Sequence, residues 1–364
     1  MKYYIIAGEA SGDLHGSNLI KELKCQDPEA EFRFWGGDKM EEASGTAPTM
    51  HYRNTAIMGF SEVIKKYRTI KGFFRLCKQE ITQWNPDCVV FIDYPGFNLR
   101  IAKWAHCQGF KTFYYIAPKV WAWKEYRVKS IKKYIDRMFV IFPFEVEWFR
   151  ERGVRVKYVG NPLLDELSAL EKPTHSEKII ALVAGSRRAE VKHNLPAMIK
   201  TLENLPDHTG VITGVDWLPK ELYQNIIGDN QNIRIEYGKT YDIMSRAEAA
   251  LVTSGTATLE AALLNLPQVV GYRGPSFNMA VARLLLTGRI RWISLVNIIM
   301  NRTVVNELVG NKVFVEKNAT VELQKILPTG SQHARIIAEY NELRTLMGET
   351  GASRRCAQGI LEEL

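Results

Sequence analysis

No stretch of this 364-residue chain approaches the roughly 20 uninterrupted apolar residues that a membrane-spanning helix requires. The opening apolar run is stopped by Gly8 and Glu9, too soon for a signal-peptide core, so it reads as a first buried strand and a cytoplasmic location is expected. The five cysteines, Cys25, Cys77, Cys88, Cys107 and Cys356, form no Cys-x-x-Cys pair, so their spacing suggests neither a zinc site nor a disulfide framework. No metal site and no cofactor are expected. Low-complexity tracts and solenoid-period repeats are absent too. An acidic excess is lacking: 48 Lys and Arg stand against 40 Asp and Glu, a net charge of +8. Nucleic acid, an anionic membrane surface or a phosphorylated substrate would each suit that balance, and so would a mildly basic solvated surface. The basic residues are dispersed rather than interleaved with stacking aromatics on one face, which argues against nucleic acid.

What the chain does contain is alternation. Short Val- and Ile-rich runs bounded by turns alternate with amphipathic stretches almost throughout, the pattern of an α/β protein with parallel sheets. Strands are expected at 2–7, 31–35, 88–92, 111–116 and 137–141. Helices are expected at 16–24, within 61–84 and at 98–108. A polar segment at 170–177 containing Pro173 reads as a linker. The pattern then restarts, with strands at 178–183, 210–213, 232–236, 249–252 and 268–270, and a wholly helical end from about 320. This predicts two facing Rossmann-like domains, 1–170 and 178–320, with a cleft between them, and C-terminal helices at 321–364 that either pack back on the first domain or are exchanged in a dimer. In such sheets ligands bind at the carboxyl ends of the strands.

Six phrases stand at such places. Ala7-Gly-Glu-Ala-Ser-Gly-Asp13 joins the first strand to the first helix. It is either a turn whose Ser11 or Asp13 caps that helix, or a wall of an acceptor site presenting Glu9. In Phe91-Ile-Asp-Tyr-Pro-Gly-Phe-Asn98, Asp93 ends a buried strand. A partly desolvated carboxylate there suits a base that takes a proton from a sugar hydroxyl; capping of the next helix is the other reading. Tyr115-Ile-Ala-Pro-Lys-Val-Trp-Ala-Trp123 sets Trp121 and Trp123 in one loop, as a flat surface for a sugar or acyl chain, or as core packing.

The second half repeats the strand, turn and helix design. Leu182-Val-Ala-Gly-Ser-Arg-Arg-Ala-Glu-Val191 places Gly185, Ser186 and Arg187 where a guanidinium meets a diphosphate, unless Arg187 and Arg188 are solvated and pair with Glu190. Val252-Thr-Ser-Gly-Thr-Ala-Thr-Leu-Glu260 offers the backbone amides and hydroxyls of Ser254, Gly255 and Thr256 as a phosphate cradle, with Glu260 in reach of ribose hydroxyls or pairing on the helix surface. It lacks the Walker pattern. Ser294-Leu-Val-Asn297 sets Asn297 between apolar runs, as a substrate contact or as a buried structural amide.

These phrases occur in order with Met58-Gly-Phe-Ser-Glu-Val63, Phe142-Pro-Phe-Glu145 and Val270-Gly-Tyr-Arg273. The ordered set closely resembles the lipid-A-disaccharide synthase family over nearly the whole chain. The resemblance implies an inverting, metal-independent glycosyltransferase of GT-B architecture. It would transfer 2,3-diacylglucosamine from UDP-2,3-diacylglucosamine to the 6-hydroxyl of 2,3-diacylglucosamine 1-phosphate, releasing UDP. By position Asp93 would be the base, with Glu9 lining the site and Asn297 supporting it. Gly185, Ser186, Arg187, Glu190, Ser254, Gly255, Thr256 and Glu260 would hold UDP. Enzymes of the family act at the membrane surface and can form homodimers with exchanged C-terminal segments, so the resemblance implies peripheral association with the inner face of the inner membrane and leaves a homodimer open. The chain departs from the family pattern at Tyr94, Gly96 and Val309–Asn311. Rival readings are another UDP-sugar enzyme, such as a peptidoglycan-precursor transferase or an epimerase, and an inactive membrane-binding scaffold.

Residues 62–78 interleave Phe73, Phe74 and other apolar side chains with Lys65, Lys66, Lys71 and Arg75. That is the pattern of a helix lying on an anionic leaflet, or of a core-facing helix with a basic outer face. Ser11, Met58, Trp121, Trp123, Lys65, Lys66, Phe73 and Phe74 are the expected acceptor and lipid contacts, and 276–292 is a second candidate for lipid contact.

Overall fold

Parallel strands need cover on both faces, so their sequences run apolar rather than alternating. Cys88–Ile92 meets that condition with all five residues buried. The computed structural model describes residues 1–55, 67–168, 170, 177–274 and 291–364. They form two compact units, Met1–Asp165 with Glu349–Leu364, and Glu166–Gly348.

The first unit holds strands β1 (Lys2–Ala7), β2 (Glu31–Gly36), β3 (Met50–His51), β4 (Cys88–Ile92), β5 (Lys111–Tyr115), β6 (Arg137–Val140) and β7 (Val156–Tyr158). Their order is β3-β2-β1-β4-β5-β6-β7, parallel throughout. Its helices begin with α1 (Ala10–Gln26), α2 (Asp38–Ser44), α3 (Tyr52–Thr55) and α4 (Tyr67–Trp84). After them come α5 (Pro95–Cys107), α6 (Val128–Tyr134) and α7 (Pro143–Arg150), and α8 (Pro162–Ser168) crosses the boundary between the units. The period of two along each strand sorts its residues between the faces. Tyr4, Ile6, Val89, Phe91 and Tyr114 meet Cys77 and Ile81 of α4, Ile101 of α5 and Ile131 of α6. Tyr3, Ile5, Val90, Phe113 and Phe139 meet Leu19 and Leu23 of α1 and the last helix of the chain.

The second unit repeats the plan. Strands β8 (Glu177–Val183), β9 (Thr209–Gly214), β10 (Ile233–Tyr237), β11 (Ala247–Thr253), β12 (Gln268–Tyr272) and β13 (Asn306–Val309) lie in the order β10-β9-β8-β11-β12-β13, again parallel. Its helices include α9 (Arg188–Leu202), α10 (Lys220–Ile227), α11 (Thr240–Arg246), α12 (Ala257–Leu263), α13 (Leu295–Met300), α14 (Glu316–Ile326) and α15 (His333–Met347). The final helix, α16 (Ala352–Leu361), belongs to the first unit.

The structure differs from the sequence expectation in several places, and α5 begins at Pro95 rather than at residue 98. α1 begins at Ala10 rather than Gly16, because Gly12 lets the first turn approach the strand: a Cβ there would stand 3.1 Å from the Ala7 Cβ. The strands β3, β7 and β13 were not anticipated; each is a short edge strand, too brief to show a period. Within 321–364, α15 belongs to the second unit and α16 to the first. Gly348 and Gly351, at φ 74° and 94°, turn the chain between α15 and α16. The Asp165 carboxylate then accepts the Gly351 and Ala352 N–H groups at the start of α16. Arg355 donates to the Val159 carbonyl at 2.8 Å. No helix among the described residues is long and apolar enough to cross a membrane.

Candidate active site

In each sheet the chain starts in the middle and winds outward in both directions. The reversal falls between β1 and β4 in the first unit and between β8 and β11 in the second. Neighbouring loops diverge there, leaving a crevice at the carboxyl ends of the strands. The turns after β1 and β4 carry Glu9 and Asp93. Those after β8 and β11 carry Gly185–Arg187 and Ser254–Thr256.

Asp93 is held in an uncommon backbone. Asp93 and Tyr94 are both left-handed, at φ 42° and 47°, which costs on the order of 1–3 kcal/mol per residue and survives only where neighbours enforce it. Asn98 Nδ2 donates to the Asp93 carbonyl at 2.8 Å and to the Ile92 carbonyl at 3.2 Å. The Tyr114 hydroxyl donates to the same Asp93 carbonyl, and Asp93 N–H donates to the Tyr115 carbonyl at 3.2 Å. Tyr94 fits only because residue 8 is glycine: a Cβ there would lie 2.3 Å from the tyrosine ring. The cap position of α5 falls to Tyr94, with Pro95 starting the helix, so capping is not the work of Asp93.

Asp93 is open to solvent, yet an accessible carboxylate flanked by protein can still be poorly hydrated. Desolvation pushes its pKa up to about 6 and the Glu9 carboxylate adds to the rise, while Lys119 and the Tyr94 N–H oppose it. A carboxylate poised there can accept a proton near neutral pH. Glu9 is exposed at the start of α1 and makes no capping bond, and Ser11, also exposed, follows it in the first turn. Asp13 does cap, but a different helix: its buried carboxylate accepts the N–H groups of Gly37, Lys39 and Met40 at α2.

The sequence pattern does not single out Lys119, one of two lysines in the loop after β5, the strand beside β4. It also faces Glu145. The Glu145 carboxylate is wholly buried and accepts Trp121 Nε1 and Phe142 N, each at 3.1 Å. Burial raises its pKa to about 7 against those two bonds and the Lys119 charge. The Trp121 ring meets Phe144 edge-on at 5.1 Å, so it anchors the loop to α7. Trp123 is 56% exposed, with the Lys124 ammonium 4.1 Å from its ring centre. Phe73 and Phe74 face inward: one meets Trp35 edge-on, the other stacks on Phe97 at 4.6 Å. Both are half-buried, packed against the core cluster that α4 lays on the sheet. Met58, Lys65, Lys66 and nearly all of 276–292 lie outside the described residues.

In the second unit, Gly185 at φ 105° leaves space that a Cβ would take from the Glu190 carboxylate, 2.5 Å away. Glu190 is turned inward. It accepts Ser186 N at 3.1 Å and Arg187 N at 3.2 Å, and pairs with the Arg187 guanidinium at 2.9 Å. Its oxygens thus brace the turn. Arg187 is 81% exposed and presents its remaining donors outward. Ser254 Oγ donates to the Ile293 carbonyl at 2.7 Å, while Gly255 and Thr256 are exposed. Burial and the Glu166 carboxylate raise the Glu260 pKa to about 7.

Asn297 is fully buried and has no valence left for a substrate. Its Nδ2 donates to the Val305 carbonyl and Glu307 Oε1, and its Oδ1 accepts Val304 N and Val305 N. Glu307, on the edge strand β13, is the hub: it also accepts Ile293 N, Ser294 N and the Ser294 hydroxyl. Asn311 makes a reciprocal amide pair with the Gly274 backbone.

A family model described as lipid-A-disaccharide synthetase matches residues 3–359. A lipid-A-disaccharide synthase of Syntrophus aciditrophicus is 35% identical over 97% of this chain and 95% of its own length. That of Myxococcus xanthus is 32% identical over 99% and 97%. The fold is shared with solved structures of UDP-sugar enzymes. A putative UDP-N-acetylglucosamine 2-epimerase of Listeria monocytogenes has a TM-score of 0.67 at 15% identity, covering all of this chain and 97% of its own. A UDP-GlcNAc 2-epimerase of Neisseria meningitidis has a TM-score of 0.67 at 13% identity, covering both chains in full. These neighbours share the GT-B fold, but identity this low speaks of fold alone. The family model and near-full-length relatives a third identical decide the matter: the chain belongs to the lipid-A-disaccharide synthase family.

Proposed function

We propose that this protein is an inverting glycosyltransferase that joins UDP-2,3-diacylglucosamine to 2,3-diacylglucosamine 1-phosphate, forming a β-1,6-linked disaccharide phosphate and UDP. The observation that carries the reading is Asp93, a desolvated carboxylate on a strained, over-determined turn beside the switch point of a sheet. As the acceptor 6-hydroxyl oxygen attacks the anomeric carbon, its proton passes to the Asp93 carboxylate. The bond from that carbon to the diphosphate breaks on the opposite face, and UDP leaves with the electron pair. Glu9 keeps Asp93 basic, and Lys119 holds the charge of the pair in check. Arg187 and the exposed Thr256 hydroxyl offer donors to the departing diphosphate, and Glu260 offers an acceptor to ribose.

Acylated substrates place the work at a lipid surface. The described part of α4 carries Lys71 and Arg75 outward beside an exposed Leu76, while Phe73 and Phe74 are half-buried against the sheet, so attraction to an anionic leaflet would be mainly electrostatic. Dimerisation is read from sedimentation of the purified chain. The deciding experiment supplies both substrates with EDTA present and follows disaccharide and UDP by mass spectrometry. Native protein should make both products without added metal, and Asp93→Asn should lose 10²–10⁴-fold in rate, on the order of what general-base catalysis contributes. Undiminished turnover by Asp93→Asn would remove the base from this mechanism.

A further inference from the structure

Large aromatic side chains are seldom left in water without cause, because their burial is worth more than that of any other side chain. Trp217 is 70% exposed. It stands in the loop after β9, the strand beside β8, so it rises from the same sheet edge as the Gly185–Arg187 turn. Its one polar atom is spent on that turn: Nε1 donates to the Ser186 carbonyl at 3.0 Å. The loop beneath is fixed as well, since Val215 N donates to the Tyr223 hydroxyl at 3.3 Å and Tyr223 is fully buried against Tyr237. The indole is thus held at its edge by a hydrogen bond and left with its surface in solvent.

A rigid, solvent-facing aromatic ring is a preorganised stacking platform, because little side-chain entropy remains to be lost when a flat ligand arrives. The flanking side chains decide which ligand. Asp216 and Lys220 are exposed on either side, a polar rim that suits a heteroaromatic ring with hydrogen-bonding edges and disfavours an acyl chain. Arg187, on the adjoining turn, offers the planar donor set that fits a diphosphate. A ring platform next to a diphosphate donor matches the two ends of a nucleoside diphosphate.

We propose that Trp217 is the stacking surface for the pyrimidine base of the nucleoside diphosphate that the second unit binds. The proposal rests on the reading that the donor is a UDP-sugar. Calorimetric titration of the full chain with UDP, and separately with inorganic pyrophosphate, tests it. Trp217→Ala should weaken UDP by about tenfold or more, the size expected for losing one base–aromatic stack, while pyrophosphate binding stays unchanged. Trp217→Phe, which keeps a ring but loses the bond to Ser186, should recover most of the UDP affinity. Equal UDP affinity in native protein and Trp217→Ala overturns the proposal. So does an equal loss for UDP and pyrophosphate, which would make Trp217 a prop for the Ser186 turn. Native protein that fails to bind UDP at all would remove the donor reading itself.

Discussion

Replacing Glu145 by glutamine should change how stability depends on pH, and the size follows from burial. The carboxyl is fully buried, and its pKa rises from 4.5 to about 7 in the folded chain. Across that window the native state holds a proton that the unfolded chain has released, so stability contributed at this position is fully present at low pH and is lost as pH climbs towards 7. The slope reaches about 1.4 kcal/mol per pH unit, and integration from pH 5 to pH 8 gives a loss on the order of 2–3 kcal/mol. Glutamine does not titrate and carries none of it. It also offers one oxygen where glutamate offers two, a penalty at Phe142 N that is the same at every pH. The quantity to measure is therefore a difference of differences: urea denaturation of native protein and Glu145→Gln at pH 5 and at pH 8. Relative to native protein the variant should be better off at pH 8 than at pH 5 by an amount on the order of 2–3 kcal/mol. Asp93 and Glu260 titrate alike in both proteins and cancel. An identical gap at the two pH values, or a gap of opposite sign, would refute the claim that this buried carboxyl exchanges its proton near neutrality.

The kcat/KM of the native enzyme should rise with pH through an apparent pKa near 6, because Asp93 serves as a base only when ionised; an acid limb absent from that profile would separate Asp93 from catalysis. Asn98→Ala releases the Asp93 and Ile92 carbonyls, and should lower kcat far more than it changes KM while costing about 1–3 kcal/mol in stability. Glu307→Ala strands four donors around 293–297, and calorimetry should show the second unit destabilised by about 3 kcal/mol or more. Gly8→Ala drives a methyl into the Tyr94 ring and should lower kcat; adding Tyr94→Ala should recover stability if that clash is the cause.

The interior strands and the switch-point turns were legible because a buried parallel strand announces itself by an unbroken apolar run ending in Gly, Ser or Asp. Among the edge strands β10 was legible and β3 and β7 were not, since Met50–His51 and Val156–Tyr158 are too short for any period. Side-chain orientation was the harder part. Asp13 sits in the first helix yet caps the second, a partnership across a strand that spacing does not encode. Asn297 reads as a ligand contact until Glu307 and the Val304–Val305 backbone are seen to use up its amide. Glu190 resembles a ligand residue in the sequence and is a brace in the structure. Phe73 and Phe74 lie on an amphipathic basic helix in either setting; only the Trp35 and Phe97 rings decide that they point inward.

The docking of α16 has a consequence for how the chain is made. Phe113, Tyr115 and Phe139 form one face of the first sheet, and Cys356, Ala357 and Ile360 of α16 help to cover it. Between Asp165 and Glu349 the ribosome must synthesise the second unit, residues 166–348. At 5–20 residues per second that takes about 10–40 s, far longer than a helix needs to form. Throughout that interval the nascent first unit shows water an aromatic face whose cover has not been translated. A chain stopped at Asp165 should therefore bind an apolar dye, and a synthetic peptide of residues 349–364 should displace it.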